Sequence, residues 1–535
     1  MMNRQPLTVT VLTDTHYYSK ENGTSGKAYD FANLKSQKLL ADSAEVLQSA
    51  FDQISEFESD IVLISGDVTN NGELNSHSEF IEMLRNLKSK GKRVYVITAT
   101  HDFREGGVTA GYDGDSVFEV KTARRDQLFA MYREFGPDEA LSVHLPSMSY
   151  IVQLAEGYRL FALNDDSNLN GKSGFSDECF EWITEQAKKA NEDNQVIIAM
   201  THHPLIAPCP IYEIIGRGDM LGDYQTRIKQ LADLGVQFIF TGHTHIHNVS
   251  AYQSGQGNVL YDICTASPIG YPGAIRTATF DPDNNKVSLD TVLVNTPESF
   301  KEKGRDLQDV LKKQLTAVII GMIKTAGSDI DSLAQMVNAI SIKPKLVYKF
   351  GWIIKPIFKM LNSLKIGTVA KWTKHETGLK KADYADIKDI KVVDFIAELF
   401  MNLFGGESKY SPLTPQYKIT IGLLNIIDSI LNVLHIDLMK ITKVSSSTAE
   451  LVEPLLYNYK IDSYKADLKI YPFNPEDDIQ KLEWQRIESG VKKSKKGLPI
   501  IIGAAAIILL FLPLWLIIVL FMFISNQIKF KDKLK

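Results

Sequence analysis

The sequence predicts an α/β fold built on a buried, parallel sheet with helices on both faces. Two observations carry this. Short apolar runs rich in Val and Ile recur along the first half of the chain, and five of them close on a carboxylate or an imidazole. Unbroken apolar runs of this length suit strands covered on both faces. Ligand sites in such sheets gather at the carboxyl ends of the strands. Polar side chains from distant parts of the chain are therefore expected to converge on one edge of a single open sheet.

The elements follow in order. Leu7–Thr13 ends at Asp14-Thr15-His16, and Ile61–Ser65 ends at Gly66-Asp67. Val94–Thr98 leads through Ala99-Thr100 into His101-Asp102. Val196–Met200 precedes His202-His203, and Val236–Thr241 precedes Gly242-His243-Thr244-His245. Singly, each motif is weak; Gly-Asp after a strand, for instance, is a common turn signal. Together they form a set, because nine of the eleven histidines lie before residue 250. Oxygen and imidazole ligands suit Mn, Fe or Zn better than Ca. A carboxylate shared by two cations about 3.5–4 Å apart is the layout of two-metal phosphoester hydrolysis. The other histidines have plainer readings. His77, after Asn70-Asn71-Gly72, belongs on a helix face, and His144 is a weak candidate. His203 is expected to shape the site without binding metal. His247 is expected to reach substrate or only solvent.

The order and spacing of these motifs resemble the calcineurin-like metallophosphoesterases over about residues 7–295, including Asp262-Ile263-Cys264-Thr265. The stretch Gly66-Asp67-Val68-Thr69-Asn70-Asn71-Gly72-Glu73 resembles the class III cyclic nucleotide phosphodiesterase branch, whose members include some with an added C-terminal helical domain. The resemblance implies a β-sandwich flanked by helices and two divalent transition metal ions, Mn, Fe or Zn. Asp14, His16 and His245 would hold the first ion, and His202 and His243 the second. Asp67 would bridge, one oxygen to each. A water shared by two cations becomes hydroxide near neutral pH and can attack phosphorus in line. His101 would sit beside the scissile phosphate and stabilise its charge or protonate the leaving oxygen, with Asp102 orienting its ring. The family pattern is Gly-Asn-His-Asp or Glu, and here it reads Ala99-Thr100-His101-Asp102. Threonine is a weaker ligand than the asparagine amide. Thr100 would bind directly or through water at a weak second site, Asn70 or Asn71 would substitute, or the second site would be empty.

The chain holds 535 residues with a net charge of −5, which gives no global basic signature for nucleic acid. Cys179, Cys209 and Cys264 show neither metal spacing nor even pairing, which suits a reducing compartment. Three parts are expected: a metallophosphoesterase domain over 1–296, a mainly helical domain over 297–490, and a basic linker, transmembrane helix and short basic tail over 491–535. No charged residue occurs from Gly497 to Ile528, and a helix over about 498–524 would extend about 40 Å, enough to cross a bilayer with some tilt. Lysines flank it nearly equally, so charge alone does not orient it. With no export signal before the first strand, the expectation is a single-pass protein of the cell membrane whose catalytic domain is cytoplasmic. Ser341–Lys381 carries ten lysines and one acid, Glu376, and reads as a solvated face or as a surface on anionic lipid.

The expected function is a membrane-tethered, phosphodiesterase-like hydrolase of a small phosphoester, with a cyclic nucleotide or a lipid-linked phosphate as substrate. The alternative is a catalytically silent homologue acting as a membrane-bound sensor or scaffold. No feature points to a particular protein partner.

Overall fold

The computed structural model describes residues 4–33, 36–166, 173–328, 363–433, 435–458, 460–471 and 484–493, with single positions 331, 348, 473 and 482. Three of the predicted runs form neighbouring parallel strands: β1 (Leu7–Leu12), β2 (Ile61–Ser65) and β3 (Arg93–Ile97). A hairpin of β4 (Val108–Asp113) and β5 (Ser116–Lys121) follows. Next come β6 (Ser142–His144), β7 (Ser149–Ala155) and β8 (Tyr158–Ala162). The other two runs are β9 (Val196–Met200) and β10 (Phe238–Thr241). Then follow β11 (Asn248–Gln253), β12 (Val259–Cys264), β13 (Ala274–Asp281) and β14 (Lys286–Leu293). A late strand, β15 (Lys465–Lys469), closes the set.

The single open parallel sheet expected from the apolar runs is corrected, while the sandwich of two sheets flanked by helices that the resemblance implied is what forms. The strands divide into a six-stranded sheet, β15-β14-β13-β1-β2-β3, and a seven-stranded sheet, β11-β12-β10-β9-β8-β7-β6. Both are mixed: β1–β2–β3 and β8–β9–β10–β12 run parallel, while the flanking strands pair antiparallel. Strand sequences buried on both faces look the same in one sheet or two, so the runs alone do not reveal the split.

Alternation along the strands fills two separate apolar layers. Val9, Val11, Ile61 and Leu63 face Ile198, Met200, Phe238 and Phe240 in the core between the sheets. Val62, Ile64, Ile197 and Ala199 point outward, where helices Ser43–Ser55, Leu74–Ser89 and Asp177–Glu192 cover them. The outer layer continues without a break into Leu311, Leu315, Phe400, Leu424 and Leu451 of the C-terminal region.

That region is mainly helical, with long helices at Leu307–Ser328, Val392–Gly405 and Pro415–Val433 and a shorter one at Thr448–Leu456. The polar positions of the third helix have partners. Asp428 accepts from the Ser447 hydroxyl and the Thr448 N–H, both at 2.7 Å, and so caps the fourth helix. The segment also supplies β15, which pairs with β14 of the N-terminal sheet. Among the described residues no helix is long and apolar enough to cross a membrane. The predicted span, about 498–524, lies outside the described residues, as does most of the lysine-rich stretch before residue 363.

Candidate metal centre

The loops that follow β1 and β2 in one sheet and β9 and β10 in the other meet along one edge, and the predicted ligands come together there. Asp14 and His16 follow β1, Asp67 follows β2, His202 follows β9, and His243 and His245 follow β10. All six are buried. Ligand atoms of Asp14, His16 and His245 lie within 4.8 Å of one another, as do those of Asp67, His202 and His243. A third such group joins His16, Asp67 and His101.

The backbone is bent sharply to achieve this. Asp14, His16, Asp67, His243 and His245 all have left-handed φ values between 40° and 64°. Non-glycine residues adopt that region at a cost, and such strain collects at functional sites. Gly66 and Gly242 leave room for the turns. A Cβ on Gly242 would lie 2.0 Å from Thr13 Oγ1 and 2.4 Å from Asp14 Oδ2.

Each carboxylate is held by one oxygen and bare on the other. Asp14 Oδ2 accepts from the His243 N–H and the Thr13 hydroxyl, both at 2.8 Å. Asp67 Oδ1 accepts from the His101 N–H at 2.9 Å. Asp14 Oδ1 and Asp67 Oδ2 are buried without any hydrogen-bond partner. Asp67 Oδ2 is 3.1 Å from His202 Nε2 and 3.9 Å from His16 Nε2. Asp67 would therefore be the carboxylate shared between the two ions, which would activate a water there.

The imidazoles are set in the same way. His202 Nδ1 lies 2.8 Å from the Ser65 carbonyl, which fixes its proton there and turns Nε2 to the centre. His16 Nε2 and His245 Nε2 face each other at 3.1 Å, and His243 Nδ1 faces His202 Nε2 at 3.3 Å. Ring nitrogens aimed at one another beside bare carboxylate oxygens are what a cation site offers. Burial alone would raise the Asp14 and Asp67 carboxyls, yet His245 beside the first and His202 beside the second help hold both well below the usual range. Burial opposes charge on His202, but Asp67 and Asp14 outweigh it and push it up to about 10. Burial, with Lys38 adding, lowers His16 to about 4. Burial also takes His101 and His243 well below an ordinary imidazole. The residues present thus fit two divalent cations.

His101 keeps Nε2 buried and unpartnered, facing the cluster, while Nδ1 lies 2.5 Å from the Asn70 carbonyl. Asn70 therefore orients the ring, and the expected orienting role of Asp102 is corrected. Asp102 Oδ1 accepts from the Thr69 N–H at 2.8 Å and the Thr69 hydroxyl at 3.0 Å, and Oδ2 from the Ala99 N–H at 2.8 Å. It pins the β2 and β3 loops together. Burial, with Asp67 nearby, raises its carboxyl to about 7.

Thr100 Oγ1 is buried with no protein partner. Asn71, one of its proposed substitutes, already accepts from Arg104 Nη2 at 2.7 Å. His203 packs against His243, the rings tilted by 39° with centroids 4.0 Å apart, and holds Asp165 at 3.0 Å, a shaping role. His77 is fully buried on its helix, between the Tyr132 hydroxyl and the Asp102 carbonyl. His144 binds Ser147. His247 does not reach solvent: it is buried against Arg276 and Thr291. Asp262 accepts from the Leu205 and Ile206 N–H groups and the Thr241 hydroxyl, which ties down the loop after His203. The three cysteines are buried free thiols.

Sequence reasoning missed Lys38 and Arg104. Lys38 Nζ lies 3.4 Å from His16 Nδ1, and Arg104 braces the loop that carries His101. Arg104 was within reach, two residues beyond Asp102, whereas Lys38 stands in a segment without pattern.

Residues 7–247 match the family model for calcineurin-like phosphoesterases, and this part of the chain is a calcineurin-like phosphoesterase domain. It has the α/β metallophosphoesterase fold. Among solved structures, a dimetal phosphatase from Danio rerio is similar at 12% identity, covering 53% of this chain and 95% of that one, with a TM-score of 0.38. A purple acid phosphatase from yellow lupin seeds (Lupinus luteus) is similar at 12% identity, covering 55% of this chain and 52% of that one, with a TM-score of 0.35. No curated protein matches the chain.

Proposed function

We propose that the protein is a metal-dependent phosphoester hydrolase. One observation carries this reading: two buried, unpartnered carboxylate oxygens, Asp14 Oδ1 and Asp67 Oδ2, face the imidazoles of His16, His202 and His245. Asp14, His16 and His245 would hold one cation, and His202 and His243 another, with Asp67 between. When bound, such ions activate a water and draw charge from phosphoryl oxygens. The chain's own residues do the rest. His101 turns Nε2 toward the site, and because Nδ1 faces the Asn70 carbonyl, a second proton on Nε2 is what would let the ring stabilise phosphoryl charge or protonate the leaving oxygen. Asn70 and Asp102 keep that ring and loop in place. Thr100, with its bare hydroxyl, offers a weak extra ligand.

The substrate is a small phosphoester, a cyclic nucleotide or a lipid-borne phosphate. The charge-free stretch from Gly497 to Ile528 supports a membrane tether, and three buried free thiols support a catalytic domain in the reducing cytoplasm. Deleting 497–535 should release the protein into the soluble fraction. Any residual binding, through the lysines of 341–381, should be stripped by high salt.

Hydrolysis of p-nitrophenyl phosphate and its bis ester with Mn²⁺ or Fe²⁺ tests the activity. Wild type should turn over at least one of them and Asp67→Asn neither. Inactivity of the metal-loaded wild type would favour the sensor or scaffold reading, for which the threonine at position 100 is the motivating feature.

A further inference from the structure

We propose that β6, at one edge of the seven-stranded sheet, pairs with β6 of a second copy of this chain in a two-fold, antiparallel dimer.

The two large sheets end in four edge strands, β15, β3, β11 and β6. An edge strand exposes unpaired N–H and C=O groups and invites another strand unless it is guarded. Three of the four are guarded. β15 turns Lys465, Asp467 and Lys469 outward, so charge protects it. β3 is capped: the Val96 N–H donates to the Phe135 carbonyl at 3.0 Å, and the Val96 carbonyl accepts from the Tyr150 hydroxyl at 2.8 Å. β11 lies against the C-terminal region, where Val249 and Ala251 share a cleft with Val444 and Ile461. β6 has none of these devices, and among the described residues it pairs only with β7.

The side chains of β6 divide by alternation. Ser142 and His144 lie under helix Asp177–Glu192. Trp182 Nε1 of that helix donates to Ser142 Oγ at 3.0 Å, and its ring is 5.6 Å from that of His144. Leu141, Val143 and Leu145 point to the other face and are 59%, 38% and 62% exposed. An overhang leaves them bare. Val143 stands beside Tyr150 of β7, and Tyr150 is the residue that reaches β3, the last strand of the facing sheet. β6 lies one strand further out, with no strand of that sheet across from it.

The order Leu141-Ser142-Val143-His144-Leu145 is close to a palindrome about Val143. In antiparallel pairing with its own copy, Val143 meets Val143 on the axis, Leu141 meets Leu145, and Ser142 meets His144. Every pair on the bare face is then apolar. An isologous two-fold contact requires such self-complementarity, whereas pairing with a foreign strand does not. Pro146 has no N–H to donate and ends the paired stretch. Each copy spends its one open edge, so association closes at two. Five residues a side fall short of the roughly 1,200–2,000 Å² that a tight complex buries, so the dimer is concentration-dependent with a micromolar dissociation constant.

Sedimentation of the full chain in detergent, over about 1–100 μM, tests this, with wild type shifting from monomer to dimer across that range. Val143→Lys and Val143→Glu set like charges against each other on the axis, so each alone should stay monomeric, and an equal mixture of the two should dimerise. Val117→Lys, at an exposed apolar position on β5, should dimerise like wild type. Thermal denaturation checks that the variants fold. Val143→Cys should form a disulfide-linked dimer on mild oxidation, since directly opposed residues hold their Cα atoms about 4.5–5.5 Å apart. Leu141→Cys should not, because it lies about 14 Å along the strand from its counterpart. The three native thiols are buried and give little background. A wild type that stays monomeric throughout leaves this edge to a strand of another protein and overturns the self-pairing. A dimer that survives Val143→Lys, or that links through Leu141→Cys and not Val143→Cys, is built elsewhere and overturns it as well.

Discussion

At the residue scale, the site crowds buried carboxylates and imidazoles together, several with one atom left bare. His202 shows the consequence. Before a cation arrives, Asp67 and Asp14 keep a proton on it up to about pH 10, whereas a free histidine loses its proton near 6.5. That charge stabilises the metal-free protein fully below about pH 6.5, and the benefit is lost as pH rises through about 10. A metal ligand must be neutral, so binding must expel this proton. Mn²⁺ affinity should therefore climb with pH between 6 and 9 by up to about one decade per unit from this group, with proton release visible by calorimetry in buffers of different ionisation enthalpy. A flat profile would show that metal binding displaces no proton from His202 over this range. His101→Ala should cut turnover by about 10²–10⁴ while metal content stays near normal. Loss of metal comparable with Asp67→Asn would make His101 a ligand instead. Thr100→Asn should lower the metal concentration needed for half activity by one to two orders of magnitude, about the effect of supporting-shell changes elsewhere.

At the element scale, the strands were legible because each is a short Val/Ile run closed by a polar residue. The runs Ile61–Ser65 and Val196–Met200 match β2 and β9 end to end. The ligand residues were legible for the same reason, since what ends a strand also faces the site. The division into two sheets was not legible in the runs themselves, because inward and outward faces are both apolar; only the motif resemblance implied it. Hydrogen-bond roles were not legible either. Asp102 is adjacent to His101 in sequence, yet its carboxylate serves Thr69 and Ala99, and the Asn70 carbonyl, from another loop, holds the ring. The strand-to-site turns make a direct prediction. Gly242→Ala should force Thr13 and Asp14 apart, costing about 1–3 kcal/mol of stability and depleting bound metal. Gly255→Ala, where a Cβ would meet nothing within 4 Å, serves as the control in urea unfolding.

At the scale of the whole molecule, the helical C-terminal region is tied to the metal domain just beyond its last ligand. The His247 N–H donates to the Phe404 carbonyl at 2.9 Å. Arg276, fully buried, donates to the Ser463 carbonyl at 2.7 Å and to His247 at 2.8 Å. Burial lowers this guanidinium to about 10. Arg276→Met should orphan these acceptors at about 1–3 kcal/mol and speed hydrogen exchange at 404–407 and 463–469. Unchanged exchange there would show that the two regions are held by packing alone. This coupling was invisible in the sequence, where His247 and Arg276 carry no motif. The central claim remains the pair of cations on Asp67, and anomalous diffraction from crystals grown with Mn²⁺ tests it most directly. The account predicts two peaks about 3.5–4 Å apart, both beside the Asp67 carboxylate. No peak there, or peaks only at sites remote from Asp67, would contradict it.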